Sequence, residues 1–206
     1  MPPIALLLDF DGVLRRWEAD DAAIESRYGL PVGSIRRTAF SPEFLLPAIT
    51  GQVSDGMWRD RVADELQQQH SSSSAREAVA KWSAPIGQID SEVLGVLARC
   101  RSDLRLVLST NATSRLAEDM RSLGLAGRFH AVANSSEVGA VKPSAAYFKG
   151  ALARANVRAS EALFVDDSLA NVEAAEALGI RSHHFTGHVA FSAFLNEAGA
   201  LIGNAV

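Results

Sequence analysis

Ile4-Ala5-Leu6-Leu7-Leu8-Asp9-Phe10-Asp11-Gly12-Val13 is the stretch on which the fold of this chain turns. Five apolar residues in a row lead into two carboxylates two positions apart and a glycine. A half-exposed strand would alternate apolar and polar residues. An unbroken run fits a strand buried on both faces, as in a parallel sheet. Open α/β sheets keep their chemistry at the C-terminal ends of strands, where Asp9 and Asp11 fall. Gly12 lets the chain turn sharply or approach a ligand closely. On its own the Asp-x-Asp-Gly pattern is also an ordinary acidic turn, because Asp and Gly are common turn residues.

A second run of the same kind lies far along the chain. Ala162-Leu163-Phe164-Val165 ends in Asp166-Asp167-Ser168. After it, Leu169, Val172, Ala175, Ala177 and Leu178 form an apolar stripe at helical spacing, closed by Gly179 as a C-cap. A second strand therefore delivers two more acids at its C-terminal end. Four carboxylates on one edge repel one another, and burial worsens the repulsion. A hard divalent cation with oxygen ligands resolves that conflict, and Mg²⁺ suits carboxylates together with a phosphate.

Two further pieces lie between these runs. Leu104-Arg105-Leu106-Val107-Leu108 reads as a strand ending in Ser109-Thr110-Asn111, with helical character over 113–123. Hydroxyls and backbone amides at a strand-to-helix turn form a phosphate seat, although Ser, Thr and Asn at such a turn also serve as plain N-caps. Gly139-Ala140-Val141-Lys142-Pro143 then places one lysine before a proline that opens the next helix. A lone lysine is usually a solvated charge, but this one is flanked by Val141 and Pro143.

In order, Asp9-x-Asp11-Gly12, Thr110-Asn111, Lys142-Pro143 and Asp166-Asp167 resemble the four motifs of the haloacid dehalogenase-like (HAD) superfamily. The resemblance runs from residue 4 to about 185, outside a variable insertion. It implies that Asp9 is a nucleophile forming an aspartyl-phosphate. Asp11 would be the general acid for the leaving alcohol and then the base for water, with its main-chain carbonyl on the metal. Thr110 and Asn111 would hold phosphoryl oxygens beside the Gly12 loop, and Lys142 would neutralise charge between phosphate and nucleophile. Asp167 would bind Mg²⁺ directly, and Asp166 would be a further ligand or would orient Lys142. The resemblance also implies that dehalogenases lack an acid at the position of Asp11, which points this chain to the phosphatase branch.

The same resemblance gives the layout. Residues 1–14 and 88–206 should form a three-layer α/β core with a doubly wound parallel sheet, and residues 15–87 a helical cap. Helical character over 20–28, 34–37, 42–46 and 55–69, with the Ser71-Ser72-Ser73-Ser74 run as a loop, agrees with an insertion that is helical throughout. Thr50-Gly51-Gln52-Val53-Ser54 resembles the cap segment that faces the site, while Ser54-Asp55 equally fits an N-cap. Trp17 and Glu18 border the first motif, Arg15-Arg16 reads as an exposed pair, and His183, His184 and His188 read as ordinary satisfied histidines.

Composition narrows the partners. A net charge of −4 without a basic run gives no electrostatic basis for nucleic-acid binding. No apolar stretch reaches the ~18 residues that a membrane helix needs. The N-terminus enters its strand at once, so no signal peptide is expected. Cys100, the single cysteine, has no internal partner and reads as a buried thiol on a core helix, in keeping with a cytoplasmic protein. The expected activity is Mg²⁺-dependent hydrolysis of a small phosphorylated metabolite. The alternatives are a phosphomutase of the β-phosphoglucomutase type and a non-catalytic phospho-ligand-binding domain. Substrate identity and oligomeric state stay open.

Overall fold

The computed structural model describes residues 2–18 and 20–202. Its centre is strand β1, Ala5–Leu8, flanked in parallel by β4, Arg105–Thr110, and β6, Ala162–Asp166. Strands β5, Ala131–Asn134, and β7, Arg181–His184, extend the sheet to the order β5-β4-β1-β6-β7. All four pairings are parallel.

Both faces of β1 are covered. Successive side chains of a strand point to opposite faces. Leu6 and Leu8 join a cluster with helix α6, Ser91–Leu97, helix α7, Leu116–Ser122, and helix α11, His188–Glu197. Ala5 and Leu7 join the other cluster, with helix α9, Ala145–Ala155, and helix α10, Leu169–Glu176. This is the doubly wound α/β sandwich expected from the apolar runs.

Between β1 and the rest of the sheet lies the insertion. It contains α1, Asp21–Arg27; α2, Ser34–Ala39; α3, Pro42–Ile49; α4, Asp55–His70; and α5, Ala75–Ser83. These helices bury their own apolar cluster, built around Ile35, Trp58, Val62, Leu66 and Val79. The insertion is not helical throughout. Strand β2, Arg15–Arg16, pairs antiparallel with β3, Gln88–Ile89, and makes a short ribbon where the chain leaves and re-enters the core. The Asp90 amide donates to the Leu14 carbonyl at 2.9 Å and ties the two crossing points together.

Two smaller expectations are corrected. Pro143 does not open a helix: Ser144 is the N-cap of α9, its side chain accepting from the Tyr147 amide, and the Lys142–Pro143 peptide is cis. Cys100 is buried as expected but lies past the end of α6, in a bridge with Leu201. No helix among the described residues is long and apolar enough to cross a membrane.

Candidate active site

Asp9 is the first residue after β1, and Asp166 is the last residue of β6. The register Leu8↔Val165 sets them side by side at the C-terminal edge of the sheet. Both are buried. Lys142 is buried with them. Its ammonium lies 2.7 Å from Asp9 Oδ1 and 2.6 Å from Asp166 Oδ2, and it donates to the Ser109 carbonyl at 3.0 Å. An ammonium has three donors, so all three are engaged.

The electrostatics of this group are tense. Burial raises Asp9 most; Lys142 lowers it, Asp166 raises it again, and it ends pushed up to about 7. Burial pulls Lys142 down, but Asp9 and Asp166 outweigh it and hold the amine above its ordinary range. Asp167, at the rim and exposed, is raised by partial burial and then by Asp166.

The supporting bonds explain the local sequence. Asp166 Oδ1 accepts from the Ser168 amide and from Asn171 Nδ2, each at 2.9 Å, so the first turn of α10 locks its carboxylate toward Lys142. Gly12 has φ +87°, and a Cβ there would stand 2.0 Å from Asp167 Oδ2. Glycine thus brings the nucleophile loop against the second acid. Asn111 spends its side chain on Lys142, Nδ2 donating to the carbonyl at 3.0 Å and Oδ1 accepting from the amide at 2.8 Å. Its side chain therefore positions the Lys142 backbone. Thr110 is buried at the end of β4, next to that turn. Tyr147 sits beneath, its hydroxyl 3.0 Å from Ser109 Oγ and donating to the Ala133 carbonyl at 2.7 Å. Neither Tyr147 nor the role of Asn171 is evident from sequence; the only signal for Asn171 is its place one turn after Ser168.

The Asp11 carboxylate accepts from Arg15 Nε at 2.7 Å, Arg15 Nη2 at 2.9 Å and Trp17 Nε1 at 2.7 Å. Arg15 is not exposed, as an arginine pair at a loop suggests, but buried at 4%. Its Nη1 also donates to Asp119 at 2.8 Å, and its guanidinium lies over the Phe10 ring at 4.2 Å. Arg16 is exposed and pairs with Asp90. The partner that buries Arg15 is on α7, more than a hundred residues away, beyond any local signal.

The insertion meets the core around Asp55, whose amide donates to Ser114 Oγ at 3.0 Å and whose Oδ1 accepts from Thr113 Oγ1 at 2.7 Å. Ser54 is the N-cap of α4 and accepts from the Met57 amide. Gly51 lies against the Ser136 carbonyl, 2.0 Å from where a Cβ would stand. Val53 packs on the insertion's own core. His184 touches the Asp167 carbonyl through Nε2 at 2.9 Å, so it is nearer the site than its sequence position implies. His183 stacks on Phe194, and its buried Nε2 has no partner, so it is not a satisfied histidine.

The carboxylates of Asp9, Asp166 and Asp167 each offer an oxygen within 4.8 Å of the others. Three hard oxygen donors, two of them raised by mutual repulsion and burial, fit a divalent cation of the Mg²⁺ type. The Asp11 carboxylate is not part of this group. A cavity of 440 Å³ lies between core and insertion, bordered by Asp11, Asn111 and Thr113 on the core side and by Phe40, Trp58 and Trp82 on the insertion side.

A family model for haloacid dehalogenase-like hydrolases matches residues 5–179. The chain belongs to that family and is a hydrolase. Among solved structures it is similar to a HAD family enzyme of Bacteroides thetaiotaomicron in complex with magnesium and inorganic phosphate, at 19% identity and a TM-score of 0.71, over 88% of this chain and 93% of the other. A predicted HAD-like hydrolase from Porphyromonas gingivalis has 21% identity and a TM-score of 0.71, over 95% and 98%. An L-2-haloacid dehalogenase of Xanthobacter autotrophicus with covalently bound chloropropionic acid has 17% identity and a TM-score of 0.65, over 97% and 85%. No curated protein sequence matches the chain.

Proposed function

We propose that this hydrolase is a Mg²⁺-dependent phosphatase acting on a small phosphate monoester, with the insertion as a cap over the site. One observation carries the reading: Lys142 is fixed between Asp9 and Asp166, with Asp167 within metal-sharing distance of both acids. A nucleophilic carboxylate meeting a phosphate dianion needs positive charge on both sides. The lysine supplies one side, and the three-acid cluster recruits the other. Asp11 adds the second support, because loss of a halide requires no proton donor and loss of an alkoxide does.

Asp9 attacks phosphorus; its oxygen–phosphorus bond forms as the ester oxygen–phosphorus bond breaks. The departing oxygen takes its proton from Asp11, which then removes a proton from water. That water attacks the phosphorus of the aspartyl-phosphate, inorganic phosphate leaves, and the Asp9 carboxylate is restored. When bound, Mg²⁺ lowers the repulsion between the attacking carboxylate and the phosphate. Its ligands would be Asp9, Asp166, Asp167 and the Asp11 carbonyl. To act as acid, the Asp11 carboxyl turns from Arg15 and Trp17 toward the ester. Lys142 holds Asp9 in line, Asn111 holds Lys142, and Thr110 binds a phosphoryl oxygen.

The test is product release from phosphate monoesters and from 2-chloropropionate, each with Mg²⁺ and with chelator. Phosphate release that chelation abolishes and Mg²⁺ restores is the expected result. Chloride release without phosphate release overturns the reading, and isomerisation of a sugar phosphate without hydrolysis replaces it with a phosphomutase.

A further inference from the structure

The cavity is bordered by Asp11 and Asn111, which adjoin the Asp9 and Thr110 ends of β1 and β4, and its walls bear on the leaving group; only the position of the phosphoryl group is taken from the phosphatase reading. At 440 Å³ the cavity is in the range that holds a drug-sized ligand, far more than a phosphoryl group requires. Trp17, Phe40, Trp58 and Trp82 line it. Three of these rings form one cluster with edge or tilted contacts, at centroid distances of 6.4 Å for Phe40–Trp58, 6.0 Å for Phe40–Trp82 and 6.0 Å for Trp58–Trp82. Trp58 is anchored by its indole N–H on the Ala39 carbonyl at 3.1 Å. Trp17 and Phe40 each stay 46% exposed, although they border the cavity and belong to a packed region. Large rings left partly bare around a cavity are a surface that a ligand can cover.

The charges of the same wall point the same way. Four arginines line it, and each already faces an aspartate. Arg15 bridges Asp11 and Asp119, Arg115 pairs with Asp119, Arg36 with Asp21 and Arg59 with Asp55. With Asp11 on Arg15 the wall is balanced, four cations against four carboxylates; when Asp11 turns to the ester, Arg15 and Arg115 still share Asp119. Arg59 does keep one buried N–H, at Nε, without a partner. That donor suits a neutral acceptor. The polar groups of the lining are largely engaged with one another, whereas the faces of Trp17, Phe40, Trp58 and Trp82 offer an apolar surface that a polyol would cover with less gain than a ring.

We infer that the substrate's leaving group is a neutral aromatic alcohol, its ring held by the Phe40, Trp58 and Trp82 cluster while its phosphate meets the acid–lysine edge of the sheet. Sugar phosphates, glycerol phosphate and phosphoglycolate-like esters are then poor ligands.

Non-hydrolysable phosphonates separate binding from turnover. Calorimetry with the Mg²⁺-loaded protein would compare benzylphosphonate, methylphosphonate, 2,3-dihydroxypropylphosphonate and phosphonoacetate. Benzylphosphonate is expected to bind about tenfold or more tightly than each of the others, the scale of a filled apolar pocket. Trp82→Ala should shrink that preference; Phe40→Leu, at a half-exposed position that tolerates the change, should shrink it without a fall in melting temperature. Equal binding of all four, or preference for the diol or the carboxylate, overturns the inference. Turnover of benzyl and glycerol phosphates, whose alcohols are similarly basic, is measured in parallel. Benzyl selectivity in binding with no ester hydrolysed would remove the phosphatase reading and leave this one standing. Hydrolysis that favours glycerol phosphate would do the reverse.

Discussion

The sheet edge and the insertion that roofs the cavity use charge in opposite ways. At the sheet edge, Asp9, Asp166 and Lys142 are all but sealed from water, and two carboxylates share one ammonium. The group is unbalanced, with Asp9 pushed up to about 7 by burial and by its neighbour. On the roof, Arg36–Asp21 and Arg59–Asp55 are balanced one to one, and Arg36 is mostly exposed. Unbalanced buried charge is poised to receive an ion; charge balanced pair by pair frames an apolar surface. On the proposed function, the difference assigns chemistry to the first side and selection to the second.

The largest effect should come from Asp9→Asn, which keeps the shape and removes the nucleophile. The expected loss is about 10³-fold or more in kcat, measured on the best ester found. A loss no greater than that of a roof substitution would erase the contrast. Lys142→Met should come next. It leaves two buried carboxylates without their cation, which costs about 3–5 kcal/mol of stability in chemical denaturation. Asp11→Asn should slow alkyl phosphates by about 10²-fold and aryl phosphates with activated leaving groups less. Equal slowing of both would remove Asp11 from its role as leaving-group acid. On the roof, Arg36→Met should change stability by less than about 1 kcal/mol, as exposed pairs do.

The smallest effect is expected at Cys100, away from both surfaces. Burial pushes its thiol from 9.0 up to about 11. The neutral thiol is thus favoured in the folded chain, and its contribution is complete below pH 9. It is lost as pH rises from 9 through 11. Cys100→Ser should flatten that alkaline limb of a stability–pH curve, and alkylation of the native thiol at pH 8 should be slow.

The sequence is most legible where burial is greatest. β1, β4 and β6 read as strands because a parallel sheet covered on both faces demands apolar runs, and the acids at the ends of β1 and β6 mark its C-terminal edge. Four of the five helices of the insertion are also legible, whereas α5, Ala75–Ser83, follows the serine run and is not. The ribbon of β2 and β3 is not, because two residues per strand carry no period. β7, Arg-Ser-His-His, is an edge strand and offers no apolar run. Arg15 is illegible for a different reason. Nothing near it in sequence announces burial; Phe10 and Asp119 impose it in three dimensions. The orientation of Asp11 depends on that arginine and is hidden with it.

The central position of β1 has a consequence for the order in which the molecule assembles. Its two neighbours begin at Arg105 and Ala162, so β1 is synthesised well before either of its partners. The five helices of the insertion emerge in between, and they can close around Ile35, Trp58 and Leu66 through contacts within themselves. Leu6, Leu7 and Leu8, fully enclosed at the end, stay without a sheet until more than half of the chain has been made. Pairings of such long sequence separation form slowly and leave apolar strands open to wrong partners meanwhile. Asp9, the proposed nucleophile, is therefore attached to the segment that waits longest for its place, and it is set only when the sheet closes around β1.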